Sequence, residues 1–180
     1  EAPTHPARFA FNAPLVKLTH VTSALHSSES RRASLSREVL VVIGGVAAGL
    51  AAAMEARRTS PELGITVLER TGDISYGACG LPYVVGGLIP ALESLTVRTP
   101  EYFRERHGIE IQLHTEALEI LPAKSIVRVR AGKEEREIPY SSLVVATGAA
   151  AVCPPLQGHD LEGVFVMRHL RDGRRMLRFI

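Results

Sequence analysis

The sequence predicts an α/β fold in which a βαβ unit on a parallel sheet is joined to an antiparallel β-meander. Three observations carry this expectation. The run Val39-Leu40-Val41-Val42-Ile43 is short, β-branched and continuously apolar, as suits a strand covered on both faces. It passes straight into Gly44-Gly45-Val46-Ala47-Ala48-Gly49 and the helix-favouring stretch Leu50–Arg58. A second apolar strand, Ile65–Leu68, then ends at Glu69, which completes a unit of about 30 residues. Farther along, Arg128 and Arg130 alternate with Val127 and Val129, the two-residue period of a strand with one wet face.

Taken in order, residues 1–37 show neither period and are rich in Ser, Ala, His and Pro. They read as an acid-poor organelle-targeting leader or as a disordered extension. Order is expected over 38–167, and 168–180 are expected to begin a linker into a further domain. Thr99-Pro100-Glu101 reads as an N-cap, a proline at the first helical position and an acid facing the helix dipole, with Gly108 ending that helix after His107. The segments Ile109–Leu113, Ala117–Leu121 and Ile126–Val129 are expected as short strands of the meander, and Lys133–Arg136 turns the chain back. Ser142–Ala146 is expected as another buried strand, ending in Thr147-Gly148-Ala149.

The 180 residues leave room for one domain plus a tail, and two cysteines exclude a disulfide scaffold. Residues 1–37 hold five Lys/Arg against two acids, which leaves 16 basic and 17 acidic groups in the rest. The formal charge of +2 is therefore a basic tail on a near-neutral body, and a basic face for nucleic acid is not supported. Arg168, Arg171, Arg174, Arg175 and Arg178 read as solvated helix charges. The longest uncharged apolar run, Val39–Met54, has 16 residues and several glycines, short of the roughly 20 that span a membrane. No membrane or metal site is expected, and the expected location is cytoplasmic, with organelle targeting by residues 1–37 as the alternative.

The loop between Ile43 and Leu50 lets backbone approach a pyrophosphate, with amide groups and the positive end of a helix dipole facing it. Glu69 ends the second strand, where a carboxylate can accept both hydroxyls of an unphosphorylated adenosine ribose, as in FAD or NAD. Val46 occupies the usual second-glycine position, so the glycines alone are a weak signal. Strand, helix and Glu69 in register make it a dinucleotide-binding signal. Thr147-Gly148 supplies a second close-approach loop at the carboxyl edge of the same sheet, or else an ordinary strand-ending turn.

Ser75-Tyr76-Gly77-Ala78-Cys79-Gly80-Leu81-Pro82-Tyr83 is the most informative stretch. With Ile43–Gly49 and Ala146–Ala149 it resembles the single-cysteine flavoprotein disulfide reductases, in particular the coenzyme A-disulfide reductases and their persulfide-reductase relatives. The resemblance spans about Val39 to Asp172. It implies a Rossmann-like FAD-binding unit in a two-dinucleotide-binding-domain flavoprotein fold, incomplete here because the second glycine-rich motif for NAD(P)H does not occur before Ile180. It further implies that NAD(P)H reduces FAD and that FAD passes two electrons to a disulfide or sulfenate at Cys79. The thiolate is the nucleophile, and a helix starting at Cys79 would favour the anion.

The cofactor-contacting set so implied is Gly44, Gly45, Val46, Ala47, Ala48, Gly49, Glu69, Arg70, Ala117, Ala146, Thr147 and Gly148. The two-cysteine relatives keep a partner five or three positions from the first thiol, where this chain has Ile74, Val84, Tyr76 and Pro82, so the relay must use an external thiol in a mixed disulfide, or a sulfenic acid. Cys153 matches no redox position and is expected to be structural. Arg58 falls where the branch contacts the substrate's ADP phosphates, or is a solvated helix-end charge beside Arg57, and Ser75 matches a coenzyme A-contacting serine. NADH oxidases and peroxidases carry histidine where this chain has Ala47. Three readings follow: a coenzyme A-disulfide or persulfide reductase, an NADH oxidase or peroxidase, and a truncated, catalytically silent nucleotide-binding domain. A homodimer would form through a domain beyond this chain.

Overall fold

A computed structural model describes residues 38–180; the expectations for residues 1–37 lie outside the described residues. Strand β1 (Val39–Ile43) leads into helix α1 (Ala47–Thr59) and strand β2 (Gly64–Leu68). A 3-10 turn (Ala78–Gly80) and the short α2 (Leu81–Val85) follow, then a second 3-10 turn (Leu92–Leu95) and α3 (Pro100–His107). Strands β3 (Ile109–Gln112), β4 (Thr115–Leu121), β5 (Ile126–Ala131), β6 (Glu134–Pro139) and β7 (Ser142–Val145) precede the last helix, α4 (Leu170–Phe179).

The four-stranded sheet is parallel in the order β3-β2-β1-β7, and β4-β5-β6 form an antiparallel sheet. Alternation along β1 explains its unbroken apolar run. Leu40 and Val42 pack with Leu50, Ala53 and Phe103 from the helices. Val41 and Ile43 pack on Val127, Val129 and Ile138 from the meander. Both faces are thus covered, and a polar side chain on either would be buried without a partner.

α3 keeps the expected ends. The Thr99 hydroxyl accepts the Tyr102 N–H at 3.4 Å, and Gly108 closes the helix in the left-handed region at φ 58°. Other elements depart from expectation. α1 begins at Ala47, three residues early, because Gly49 has no Cβ to strike the Gly44 carbonyl. Ile109–Gln112 pairs with β2 in the parallel sheet instead of joining the meander, because α3 is itself the crossover between them. The expected turn over Lys133–Arg136 is shorter and starts earlier: the chain reverses at Gly132 (φ 63°) and Lys133, and Glu134–Pro139 is a full strand.

Ser142–Val145 is not a buried strand. It is the edge of its sheet among the described residues, with Val145 58% exposed. Residues 168–180 form α4 and its approach, and Leu170, 2% exposed, packs with Tyr76, Leu81, Val84, Leu92 and Leu95. No helix among the described residues is long and apolar enough to cross a membrane.

Candidate functional site

The carboxyl ends of β1, β2 and β7 open onto one cleft of about 530 Å³. Its floor is the glycine loop. Gly44 stands at φ 115°, and a Cβ there would lie 2.2 Å from the Ala146 carbonyl oxygen, so this loop and the Ala146-Thr147-Gly148 loop touch through backbone. A Cβ on Gly49 would lie 1.8 Å from the Gly44 oxygen. Val46 needs no glycine at φ −108° and precedes the helix without any side-chain cap. The first amide groups of α1 are therefore free to meet a ligand, and a helix start of this kind suits an anion such as a diphosphate.

Glu69 is 7% exposed and lines the cleft. Its Oε2 accepts the Gly45 N–H at 2.9 Å, while Oε1 accepts the Thr71 N–H at 2.9 Å and the Thr71 hydroxyl at 2.8 Å. A carboxylate offers about four acceptor positions, so roughly one remains for a ligand hydroxyl. The expectation of two ribose contacts is sharpened accordingly: one hydroxyl can be received directly, and a second needs Thr71 to rotate away.

The expected residues Gly44, Val46, Ala47, Ala48, Glu69, Arg70, Ala117, Ala146, Thr147 and Gly148 all line this cleft, and so does Cys79. Gly45 and Gly49 build the loop from behind. Cys79 is exposed and sits inside the 3-10 turn; the first residue of α2 is Leu81, and that helix has only five residues. The thiol thus precedes a short helix and does not start a long one, which leaves little macrodipole to act on it.

Two residues expected at a substrate site do not line the cleft. Arg58 is exposed and holds Glu55 on its own helix with contacts of 2.5 and 2.9 Å. Ser75 adopts φ 49°, donates its N–H to the Gly45 carbonyl and accepts the Val97 N–H, so its backbone braces the glycine loop. Cys153, expected to be structural, is exposed.

Several lining residues escaped sequence reasoning: Thr71, Tyr76, Thr115, Arg168, His169 and Arg171. The sequence reads these arginines as solvated helix charges. Arg168 instead donates from Nε to the Ala149 carbonyl at 3.2 Å and lines the cleft with Arg171, and Arg174 pairs with Asp73. The Arg174 hydrogen bonds hold the Asp73 carboxyl below the ordinary carboxylate value. Burial, then the neighbouring Glu69 and Asp73 carboxylates, push the Tyr76 hydroxyl up. Burial, then the Arg171 charge, holds the His169 ring below the ordinary histidine value. The composition of the cleft is thus a backbone anion cradle, one carboxylate for a sugar hydroxyl, a cationic wall and an accessible thiol. A dinucleotide fits that donor set. Among the described residues no group of three or more His, Cys, Asp or Glu could hold a metal ion.

Comparison with known proteins agrees with this geometry. Residues 39–178 match the family described as pyridine nucleotide-disulphide oxidoreductase. An NADH oxidase of Methanocaldococcus jannaschii is 34% identical over 78% of this chain and 32% of its own length. A coenzyme A disulfide reductase of Staphylococcus haemolyticus is 30% identical, again over 78% of this chain and 32% of its own. The solved structure of an NAD-dependent persulfide reductase from A. fulgidus superposes with a TM-score of 0.74 at 38% identity, covering 78% of this chain and 27% of that one. The chain thus spans about a third or less of these relatives.

Proposed function

The chain belongs to the pyridine nucleotide-disulphide oxidoreductase family, and we propose that it is the FAD-binding portion of an NAD(P)H-dependent reductase acting on coenzyme A disulfide or a persulfide through Cys79. One observation carries the reading: Cys79 shares a single cleft with the uncapped start of α1 and with Glu69. The amide groups at Val46–Ala48 hold the diphosphate, Glu69 receives an adenosine ribose hydroxyl, and the Ala146–Gly148 loop closes the floor. These contacts exclude water from the phosphates and fix the cofactor relative to the thiol.

Cys79 then acts as nucleophile. Its thiolate attacks one sulfur of the substrate disulfide, an S–S bond forms to Cys79, and the other sulfur leaves as a thiolate that takes a proton from solvent. When bound, the flavin supplies the two electrons from NAD(P)H that resolve this mixed disulfide. Two-electron reduction of the mixed disulfide would break its S–S bond, leaving Cys79 as the thiolate and the second sulfur as a thiolate that takes a proton from solvent. The thiol released is small and coenzyme A-like, Arg58 and Ser75 are its proposed contacts, and the whole protein is a homodimer. An oxidase reading has the name of one relative in its favour, but Ala47 brings no functional group to the place where the oxidases carry histidine.

The test is reconstitution. FAD added to the chain is expected to bind with quenched fluorescence, and the whole protein is expected to reduce coenzyme A disulfide with NAD(P)H, activity that Cys79→Ser abolishes. No flavin binding, or full activity in Cys79→Ser, would overturn the proposal.

A further inference from the structure

Two contacts meet at Gly45 in the glycine loop. Its N–H donates to the Glu69 carboxylate at 2.9 Å, and its carbonyl accepts the Ser75 N–H at 3.0 Å. The carboxylate of the cleft and the segment that leads to Cys79 therefore hang on one residue. A side chain there would crowd both: a Cβ on Gly45 would lie 2.9 Å from the Ile74 Cγ2 and 3.1 Å from the Glu69 Cβ.

Ser75 is the joint of that segment. It stands at φ 49°, in the left-handed region that a residue with a side chain enters at a cost. Its neighbours show why the chain turns here. Ile74, 3% exposed, packs with Leu40, Val42 and Phe103, whereas Tyr76, 8% exposed, packs with Leu81, Leu95 and Leu170. Residues two apart in an extended strand face the same side, so the turn at Ser75 is what parts these two side chains into separate cores. It also presents the Ser75 carbonyl to the Val97 N–H at 2.7 Å. Beyond it Tyr76 bridges Thr96 and the Gly77 N–H donates to the Leu95 carbonyl at 2.9 Å, and the chain then enters the 3-10 turn that holds Cys79.

We propose that Ser75 is a positioning residue: held left-handed between Gly45 and Val97, its backbone fixes where Cys79 stands relative to the anion cradle at the start of α1. This rests on the assignment of Cys79 as the reactive thiol. Both bonds of the brace are made by main chain, so the position asks of its side chain only that it tolerate the left-handed region. Glycine enters that region freely and asparagine more readily than most residues; alanine enters it less readily, and a β-branched residue least. The requirement is separate from any contact of the Ser75 hydroxyl with a substrate. Its consequence for the reaction is geometric, because a thiolate must line up with the S–S bond it breaks while the cradle holds the cofactor beside it.

Ser125 supplies a matched control. It stands at φ 54°, donates its N–H to the Pro122 carbonyl and accepts the Tyr140 N–H. It follows Leu121, whereas the cleft is lined by Thr115, Glu116 and Ala117 at the other end of β4. The measurement is the alkylation rate of Cys79 by iodoacetamide above the titration of both thiols, taken as a ratio to that of the exposed Cys153 in the same molecule. Ser75→Gly and Ser75→Asn are expected to keep the wild-type ratio to within about twofold. Ser75→Val is expected to raise it roughly three- to tenfold as the segment loosens, with Ser75→Ala between. Ser125→Val is expected to lose comparable stability in urea unfolding and to leave the ratio alone. Should Ser75→Val fail to fold, Ser75→Ala against Ser75→Asn decides. A wild-type ratio in Ser75→Ala, or an equal rise in Ser75→Asn or Ser125→Val, would overturn the proposal. No flavin enters the measurement, so a failure of flavin binding and a failure of this inference are told apart.

Discussion

The Arg174 guanidinium grips the Asp73 carboxylate at two points, 2.7 and 2.8 Å, and so fastens α4 to the loop after β2 across 101 residues of sequence. The pair lies beside the Tyr76 segment and has one end partly buried, with Asp73 22% and Arg174 44% exposed at the side chain. Two-point geometry fixes both groups more firmly than a single surface contact would.

Arg174→Met should therefore destabilise the chain by about 0.5–1 kcal/mol at neutral pH, the upper part of the range for screened pairs. The Asp73 carboxyl is held below its ordinary value by Arg174, so its contribution is present above the ordinary carboxylate value and lost as pH falls through the lowered one. Urea unfolding of wild type and Arg174→Met at neutral pH and near pH 3 checks this. The difference should shrink in acid; a constant difference would mean that Arg174 acts through packing alone.

Gly49→Ala tests the cradle. Alanine in a helix interior ordinarily gains up to about 1 kcal/mol over glycine. Here its Cβ would stand 1.8 Å from the Gly44 oxygen, backbone that cannot yield without moving the cleft floor. Overpacking of this kind costs about 1–3 kcal/mol or more, so the clash decides the sign. Gly77→Ala, with nothing within 4 Å of the added carbon, is the control and should be near neutral. Thermal melts of both variants decide the matter, and a Gly49→Ala variant as stable as wild type would refute the close approach.

Glu69→Ala should affect fold and ligand separately. Removing the carboxylate leaves the Gly45 and Thr71 N–H groups without their acceptor, a loss of about 1–3 kcal/mol in stability. If a ribose hydroxyl takes the remaining acceptor position, FAD affinity should fall by a further amount of about 1–3 kcal/mol. Any affinity for FMN, which lacks the adenosine, should be spared. Equal losses for FAD and FMN in titration calorimetry would assign Glu69 to the loop alone.

How far the sequence reveals this molecule depends on whether the signal is local. Val39–Ile43 is readable because both of its faces are covered, so no polar residue interrupts it. Thr99, Pro100 and Gly108 each meet a backbone requirement at a helix end and announce it without outside help. Strand β6 was missed because Ile138 is its one buried residue, so four exposed charged residues read like a turn. The glycine loop, Glu69 and the Thr147-Gly148 loop follow one another along a recognisable unit and were legible. His169 was not, because histidine is no favoured N-cap and its partner Tyr76 is remote in sequence. Arg174 hid for the same reason among its neighbouring arginines.

Arg57 and Arg58 adjoin at the end of α1, and the structure gives them opposite parts. Arg57 is half-buried; it donates to the Gly108 carbonyl at 3.1 Å and to the Pro61 carbonyl, and so ties the end of α1 to the C-cap of α3. A cation at these carbonyls also meets the negative end of the α3 dipole. Its Nε is buried without a partner, which subtracts from the gain. Arg57→Met should still destabilise by about 1–2 kcal/mol, because two carbonyls lose a charged donor. Arg58 is exposed and bonded to Glu55 on its own helix, and the pair lowers the Glu55 carboxyl and raises the guanidinium without burying either. Arg58→Ala should leave the melting temperature unchanged. If Arg58 meets a phosphorylated thiol substrate as proposed, the same variant should raise KM for coenzyme A disulfide in the whole protein while kcat and stability hold. An unchanged KM would return Arg58 to a solvated helix-end charge and move the substrate's phosphate contacts elsewhere on the chain.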